Sequence, residues 1–190
     1  MNARPPGGRT RHHGPINYPE LIETDRLTLR RWRPEDADAY AAIWADPDVW
    51  RALAGGSSAD PSEVAREGLA RQLRHWADLD FGLWAAIPDD ADEPVGWIGA
   101  WRQMVAPALD GDIEIGWTLR SPWWHRGLAT EGARLAIDTA FEHLDIPRVI
   151  SLIHPQNDRS AAVALRLGMT HVSETPNRDG IPLRVFALDG

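Results

Sequence analysis

Residues 112–143 read DIEIGWTLRSPWWHRGLATEGARLAIDTAFEH and contain two different periodicities. Residues 112–119 have the composition and alternation of a β-strand. Farther on, apolar or small residues recur every three to four positions, which predicts a helix over about 126–143. Residues 148–154 form a short Val/Ile/Leu strand that the chain reaches only through this helix. The strand–helix–strand unit is therefore expected to be parallel and right-handed.

The sequence on either side of this unit predicts mostly antiparallel strands. Helices are expected from Pro34 onward, over about 61–78 and over 159–167. Strand-like runs occupy residues 24–32, 81–87 and 95–102, and two last strands surround a turn at 177–180. The expected fold class is α+β (mixed α/β), with one sheet and one parallel crossover near its middle.

The composition excludes several kinds of chemistry. The chain of 190 residues has no cysteine, which rules out disulfides, a thiol nucleophile and cysteine-based zinc sites. The formal net charge of −8 disfavours a nucleic-acid partner, which requires a positive field. No apolar run is long enough for a membrane span or resembles a signal peptide. We therefore expect a cytoplasmic protein with neither a metal nor a membrane partner.

The first residues differ in composition from the rest of the chain. Residues 1–17 are rich in Gly, Pro, Arg and His, and carry three arginines but no acidic residue. This composition is typical of a flexible arm. The remaining residues, 18–190, are expected to form a single domain.

The segment 124–130 has features of an anion site. It lies between the end of a predicted strand and the start of a predicted helix, where unpaired N–H groups and the helix dipole favour an anion. Gly127 removes the side chain that would keep a phosphate away from the backbone, and Ala129 keeps the next turn small. Arg126 adds positive charge. The dinucleotide-binding and Walker glycine patterns are absent, which argues against NAD and ATP.

Four segments together resemble a known family. They are ETDRLTLRRWRPEDADAY, EIGWTL, PWWHRGLATEGARLAIDTAF and HPQNDRSAAVALRLGM, and the resemblance covers about residues 22–188. In order and spacing they are similar to the GCN5-related N-acetyltransferases (GNAT). The opening segment resembles the RimJ/RimL-like branch, which includes the ribosomal-protein N-terminal acetyltransferases.

The resemblance implies a sheet of about seven strands with helices on both faces. The sheet would splay apart between the strands at 112–119 and 148–154, with acetyl-CoA in the wedge. The implied activity is acetyl transfer from the thioester to a primary amine in a ternary complex. The cofactor-binding residues expected from it are Trp117, Thr118, Leu119, Trp124, His125, Arg126, Gly127, Leu128, Ala129, Thr130 and Asn157.

Two residues are candidates for the catalytic proton transfers. Glu114 lies on the same strand face as Gly116 and is our candidate base; alternatively it is a strand-edge carboxylate or a ligand for the substrate's ammonium. The resemblance implies that Ser160 is the proton donor, although a serine at a helix N-terminus can equally be a cap. In many similar proteins a tyrosine occupies the position that is Ala164 here.

The acceptor side is less defined. We expect Trp50, Trp76 and Asp112 to bind the amine substrate, with Asp112 also the reserve base. The amine belongs either to a protein N-terminus or to a small molecule, such as an aminoglycoside-type antibiotic. A non-catalytic acyl-CoA sensor is the alternative from another class. Similar proteins are commonly dimers, so the resemblance allows a homodimer.

Overall fold

The computed structural model describes residues 16–54 and 59–190. The arm expected over residues 1–17 therefore lies outside the described residues, except for its last two. Ile16, at the end of that segment, packs against the hydrophobic core.

One mixed sheet forms the centre of the described chain. Its order is β1-β2-β3-β4-β5-β6-β8-β7, and only the β5–β6 pair is parallel among the described residues. This confirms the expected fold class, with eight strands where about seven were predicted. The additional strand is β1, which is three residues long and pairs with β2. The strands are β1 Leu21–Glu23, β2 Leu27–Arg30, β3 Leu83–Pro88, β4 Gly96–Arg102, β5 Ile113–Leu119, β6 Arg148–Ile153, β7 Thr170–Pro176 and β8 Pro182–Asp189.

Five α-helices accompany the sheet in the described residues. They are α1 Ala37–Trp44, α2 Pro47–Ala54, α3 Pro61–Leu79, α4 Leu128–His143 and α5 Asp158–Arg166. The helix expected from Pro34 begins with a 3₁₀ turn, and α4 begins two residues later than predicted. The sequence analysis did not predict α2. Asp60 caps α3, since its Oδ1 accepts from Ser62 N at 2.9 Å.

The helices cover both faces of the sheet. Alternate residues of β3 separate into two clusters, with Leu83 and Ala85 in one and Trp84 and Ala86 in the other. Helix α1 and the start of α3 pack on the first face, and α4 packs on the second. On β5, Glu114 lies opposite Trp101 of β4, so it belongs to the first face.

The sheet opens between its two parallel strands. Glu114 and Ile150 are the only register pair between β5 and β6 in the part of the chain that is described. Just beyond this pair, Ser151 Oγ donates to the carbonyl oxygen of Ile115 at 2.7 Å. From there β5 continues along β4, whereas β6 continues along β8. The second edge of β5 is therefore open from Gly116 onward, where the splay was expected.

Candidate active site

Two cavities meet at this opening. The first, which we call the turn cleft, has a volume of about 590 Å³ and lies between the end of β5, the segment 124–130 and α5. The second, the Glu114 cleft, has a volume of about 500 Å³ and lies on the α1/α3 face of the sheet. Both volumes are in the range of small-molecule sites. The residues that line both clefts are Ala52, Leu53, Trp117, Thr118, Asn157 and Ser160.

The backbone shapes the floor of the turn cleft. Gly127 precedes α4 in the left-handed conformation, with φ of +80°, which glycine adopts without steric cost. The first N–H groups of α4 have no intrahelical partner, and they lie at the positive end of the helix dipole. The cleft is thus suited to an anionic group that approaches the backbone closely.

An ion pair between Arg26 and Glu131 holds this turn in place. Arg26 Nη1 donates to the carbonyl oxygen of Arg126 at 2.8 Å, and Arg26 Nε donates to Glu131 Oε2 at 2.8 Å. Burial favours a raised pKa of Glu131, but hydrogen bonds from Thr24 and Arg26 outweigh it and lower the pKa. Glu131 therefore stays ionised and keeps Arg26 in place.

Most of the residues predicted to bind the cofactor lie together here. The turn cleft is lined by Trp117, Thr118, Leu119, Trp124, His125, Gly127, Leu128, Ala129, Thr130 and Asn157. Arg126 is not in the lining: its guanidinium pairs with Asp90 at 2.8 Å and lies 4.7 Å from the centre of the Trp123 ring. The expectation that Arg126 adds charge to the anion site does not match this position.

Two cations of α5 lie in the turn cleft, where Arg126 was expected. Arg159 and Arg166 both line the turn cleft. The Arg159 guanidinium lies 3.8 Å from the centre of the Trp124 ring, and Trp124 Nε1 donates to the carbonyl oxygen of Leu119 at 2.6 Å. Neither arginine was predicted from the sequence. Their spacing of seven residues, two helical turns, is the signal that places them on one side of α5.

Asn157 and Ser160 lie where the clefts join. Asn157 Oδ1 accepts from Ser160 N at 3.1 Å, which makes Asn157 the cap of α5. The alternative in which Ser160 caps the helix is therefore wrong. Because the Asn157 oxygen is engaged, its amide NH₂ group is the end that can donate to a ligand. Ala164, at the tyrosine position of many similar proteins, is buried in the core.

Glu114 is the carboxylate of the second cleft. Burial raises the pKa of Glu114 to about 7, against one N–H from Leu152 that lowers it. The distance from Leu152 N to Glu114 Oε1 is 3.4 Å. Near neutral pH this group exists in both protonation states, which suits an acid–base role. Aromatic residues line the same cleft, among them Tyr40, Trp44, Trp97 and Trp101.

The three residues expected to bind the acceptor do not line either cleft. Trp76 is buried, and its Nε1 donates to the carbonyl oxygen of Leu83 at 3.0 Å. Trp50 packs edge-on against Trp44, with ring centres 6.0 Å apart. Asp112 lies just before β5 and pairs with Arg148 at 2.7 Å. The structure thus brings Glu114, but not Asp112, into the cleft.

Helix α2 adds an unpredicted wall. Ala52 and Leu53 line both clefts. Asp46 fixes the start of the helix, because its Oδ1 accepts from Asp48 N at 3.0 Å and its Oδ2 from Ser121 N at 2.6 Å. The sequence signal is the pair Asp46 and Pro47, an N-cap residue followed by a proline at the first helical position.

In residues 16–54 and 59–190, no group of three or more His, Cys, Asp or Glu side chains is arranged to hold a metal ion. Within the same residues, no helix has the length and apolar character needed to cross a bilayer.

Comparison with known proteins gives consistent matches. The family model described as an acetyltransferase (GNAT) domain matches residues 26–170. An uncharacterized N-acetyltransferase, p20, of Bacillus licheniformis is 30% identical over 141 residues, 74% of this chain and 77% of that protein.

Solved structures agree with the family match. The acetyltransferase from Agrobacterium tumefaciens strain C58 is 31% identical, with a TM-score of 0.75, and the match covers 96% of this chain and all of that one. RimL, a ribosomal L7/L12 alpha-N-protein acetyltransferase solved in complex with coenzyme A, has a TM-score of 0.69 at 16% identity. This match covers 90% of this chain and 98% of RimL, and the likeness is one of fold.

Proposed function

Since this chain belongs to the GNAT acetyltransferase family, and is therefore an acyltransferase as its sequence predicted, we propose that it moves an acetyl group from acetyl-CoA to a primary amine. One observation carries the proposal. An anion-binding turn and a carboxylate with a pKa of about 7 line two clefts that join at the open edge of β5.

The turn cleft fits the chemistry of coenzyme A. Its diphosphate requires close backbone approach and positive charge, which Gly127, the start of α4, Arg159 and Arg166 offer. The pantetheine arm contains amides, and the open edge of β5 can pair with them as with another strand. Asn157 can donate its NH₂ group to the same arm. RimL, which has the same fold, was solved in complex with coenzyme A, which supports the choice of coenzyme A as the ligand.

The join of the two clefts suits direct transfer. Glu114, acting directly or through water, accepts the proton that the attacking amine loses as its nitrogen bonds to the thioester carbon. A backbone N–H of residues 117–119 stabilises the oxyanion, and the carbon–sulfur bond then breaks. Ser160 donates a proton to the departing sulfur as it takes one from water, and Glu114 then releases its proton to water. We propose a ternary complex without a covalent enzyme intermediate, which agrees with the lack of cysteine.

Thiol release in the presence of acetyl-CoA and an amine panel tests this function. We expect coenzyme A to raise the melting temperature of the protein, and thiol release to depend on an added amine. Mass spectrometry of the product should show one added acetyl group. Stabilisation by coenzyme A without turnover on any amine would favour an acyl-CoA sensor, and absence of both effects would reject the proposal.

A further inference from the structure

The rim of the Glu114 cleft holds most of the exposed large apolar side chains of the described residues. Seven large apolar residues are exposed among those described, and four of them line this cleft: Leu53, Met104, Val105 and Ile181. They come from α2, from the segment between β4 and β5, and from the turn between β7 and β8. Exposed apolar groups gathered at one site are typical of a ligand-binding surface.

Hydrogen bonds hold this rim in place. Gln103 is fully buried, and its Nε2 donates to the carbonyl oxygen of Ala106 at 2.8 Å while its Oε1 accepts from Ala106 N at 2.8 Å. Arg178 N donates to the carbonyl oxygen of Val105 at 3.0 Å, and Arg178 Nε donates to that of Met104 at 2.8 Å. The two loops are thus tied together, so the apolar rim is preformed.

The charges in the cleft do not suit a polycation. Among the described residues that line the cleft, Glu114 is the single carboxylate and Arg71 contributes a positive charge. A polyamine or an aminoglycoside carries several ammonium groups, each of which requires an acidic partner or water. One carboxylate beside aromatic walls suits one amine on an apolar group.

Three polar groups of the lining are engaged by the protein, whereas Trp44 Nε1 and Gln72 Oε1 are buried without a partner. Ser151 Oγ donates to the carbonyl oxygen of Ile115, and Asn177 Oδ1 accepts from Ile181 N at 2.8 Å. The oxygen of Asn157 caps α5. A peptide chain entering this cleft buries an N–H and a C=O group with nearly every residue, and each group left without a partner is costly. A compact molecule without a peptide backbone avoids that cost.

We infer that the acceptor is a small primary monoamine whose nitrogen is attached to an apolar, ring-sized group. The inference rests on the proposed function and specifies its substrate class. The ring lies against the aromatic wall and apolar rim, and the amine lies towards Glu114 at the join with the turn cleft.

Steady-state acetylation with five acceptors tests the inference. They are 2-phenylethylamine, ethylamine, spermidine, kanamycin and an unmodified Phe-Ala-Ala peptide. We expect kcat/KM for 2-phenylethylamine to exceed that for ethylamine by about 30-fold, because a buried ring contributes binding energy of that size. It should also exceed the values for the other three. A preference for spermidine, kanamycin or the peptide would overturn the inference while leaving acetyl transfer intact.

A charged rim variant sharpens this test. Ile181→Asp should lower kcat/KM for 2-phenylethylamine about tenfold without changing the stabilisation by coenzyme A. Val172→Asp is the matched control, since Val172 is exposed on β7 and does not line the cleft. Equal values for Ile181→Asp and the control would remove the rim from acceptor binding. If coenzyme A does not stabilise the unmodified protein, that result would instead count against the proposed function.

Discussion

The two clefts that meet at the open edge of β5 are built differently. The turn cleft takes most of its lining from one continuous segment, residues 117–130, and from α5. The Glu114 cleft takes its lining from segments between Tyr40 and Leu183, which only the complete fold brings together. A site built locally from backbone suits a ligand shared by a family, whereas a site built from scattered side chains can change with each sequence.

The largest expected effect concerns the local site. Gly127→Asp should abolish detectable binding of coenzyme A, a loss of at least about 100-fold. It adds a negative charge at the start of α4, forces a side chain into the left-handed region and places its Cβ 3.4 Å from Arg26 Nη2. Isothermal titration with coenzyme A measures the loss.

The control for this variant separates strain from charge. Gly180 has the same φ of +80°, and open space surrounds its Cβ position. Gly180→Asp therefore carries similar backbone strain and should bind coenzyme A like the unmodified protein. Gly127→Ala should lose only part of the affinity for coenzyme A. Unchanged affinity in Gly127→Asp would remove the turn from the cofactor site.

The second-largest expected effect concerns Glu114, the carboxylate of the Glu114 cleft. In the unmodified protein kcat/KM for the amine should rise through pH 7 as Glu114 ionises. Glu114→Gln should lack this rise and lie about 100-fold lower above pH 7, which is typical of removing a general base. A pH profile measured at saturating acetyl-CoA provides the comparison. A retained inflection near pH 7 in the variant would assign it to another group.

The same variant should be more stable than the unmodified protein at alkaline pH. Because folding raises the pKa of Glu114 from 4.5 to about 7, the folded state binds more protons than the unfolded state in this range. Stability is therefore lost as the pH rises from 4.5 to 7. Removing the charge should recover on the order of 2 kcal/mol at pH 8, seen as a higher melting temperature. A slower but more stable variant is not expected from simple damage to the fold.

The difference between the clefts also explains what the sequence could predict. The strand, turn and helix of residues 112–143 are adjacent in the chain, so their periodicity and glycine were enough to locate the turn cleft. The direction of the side chains was harder to predict even here. Arg126 pairs with Asp90, which lies in the turn between β3 and β4. The helical spacing of Arg159 and Arg166 was visible but was not used.

The Glu114 cleft was harder to predict, because it depends on contacts between residues that are far apart in the sequence. Trp76 is a core residue. One of the rings packed against it is that of Tyr18, which is far away in the sequence, and the two ring centres are 6.0 Å apart. Asp112 pairs with Arg148, which lies at the start of the neighbouring strand β6. Glu114 was found because strand alternation fixed its face, but its raised pKa came from burial that only the assembled fold creates.

An intermediate effect is expected at the join of the clefts. Ser160→Ala should lower kcat about tenfold and leave coenzyme A affinity unchanged if Ser160 donates the proton to the sulfur. The helix cap survives, because it uses the backbone N–H of Ser160 and the side chain of Asn157. Ser62→Ala is the control: Ser62 also lies in the first turn of a helix and donates its N–H to the cap residue, Asp60. Equal losses in kcat and affinity for Ser160→Ala would indicate a binding contact.

The smallest expected effect tests whether the turn cleft depends only on local structure. Arg26 lies on the chain about 100 residues before the turn, yet it donates to the carbonyl oxygen of Arg126 and to Glu131. Lysine keeps the charge but cannot reach both partners with the geometry of a guanidinium. Arg26→Lys should therefore weaken coenzyme A binding about threefold to fivefold, by titration calorimetry, and leave kcat unchanged at saturation.

Arg66→Lys is the matched control for this loss. Arg66 pairs with Glu63 on the exposed side of α3, at 3.7 Å, and contacts no residue of the turn. Exposed pairs of this kind contribute little to stability, so the control should bind coenzyme A normally. Because Arg26 acts through the position of the turn, a change in kcat with unchanged affinity would contradict that role. Such a result would connect Arg26 to the acceptor side instead, and the separation between a locally built and a globally built cleft would no longer hold.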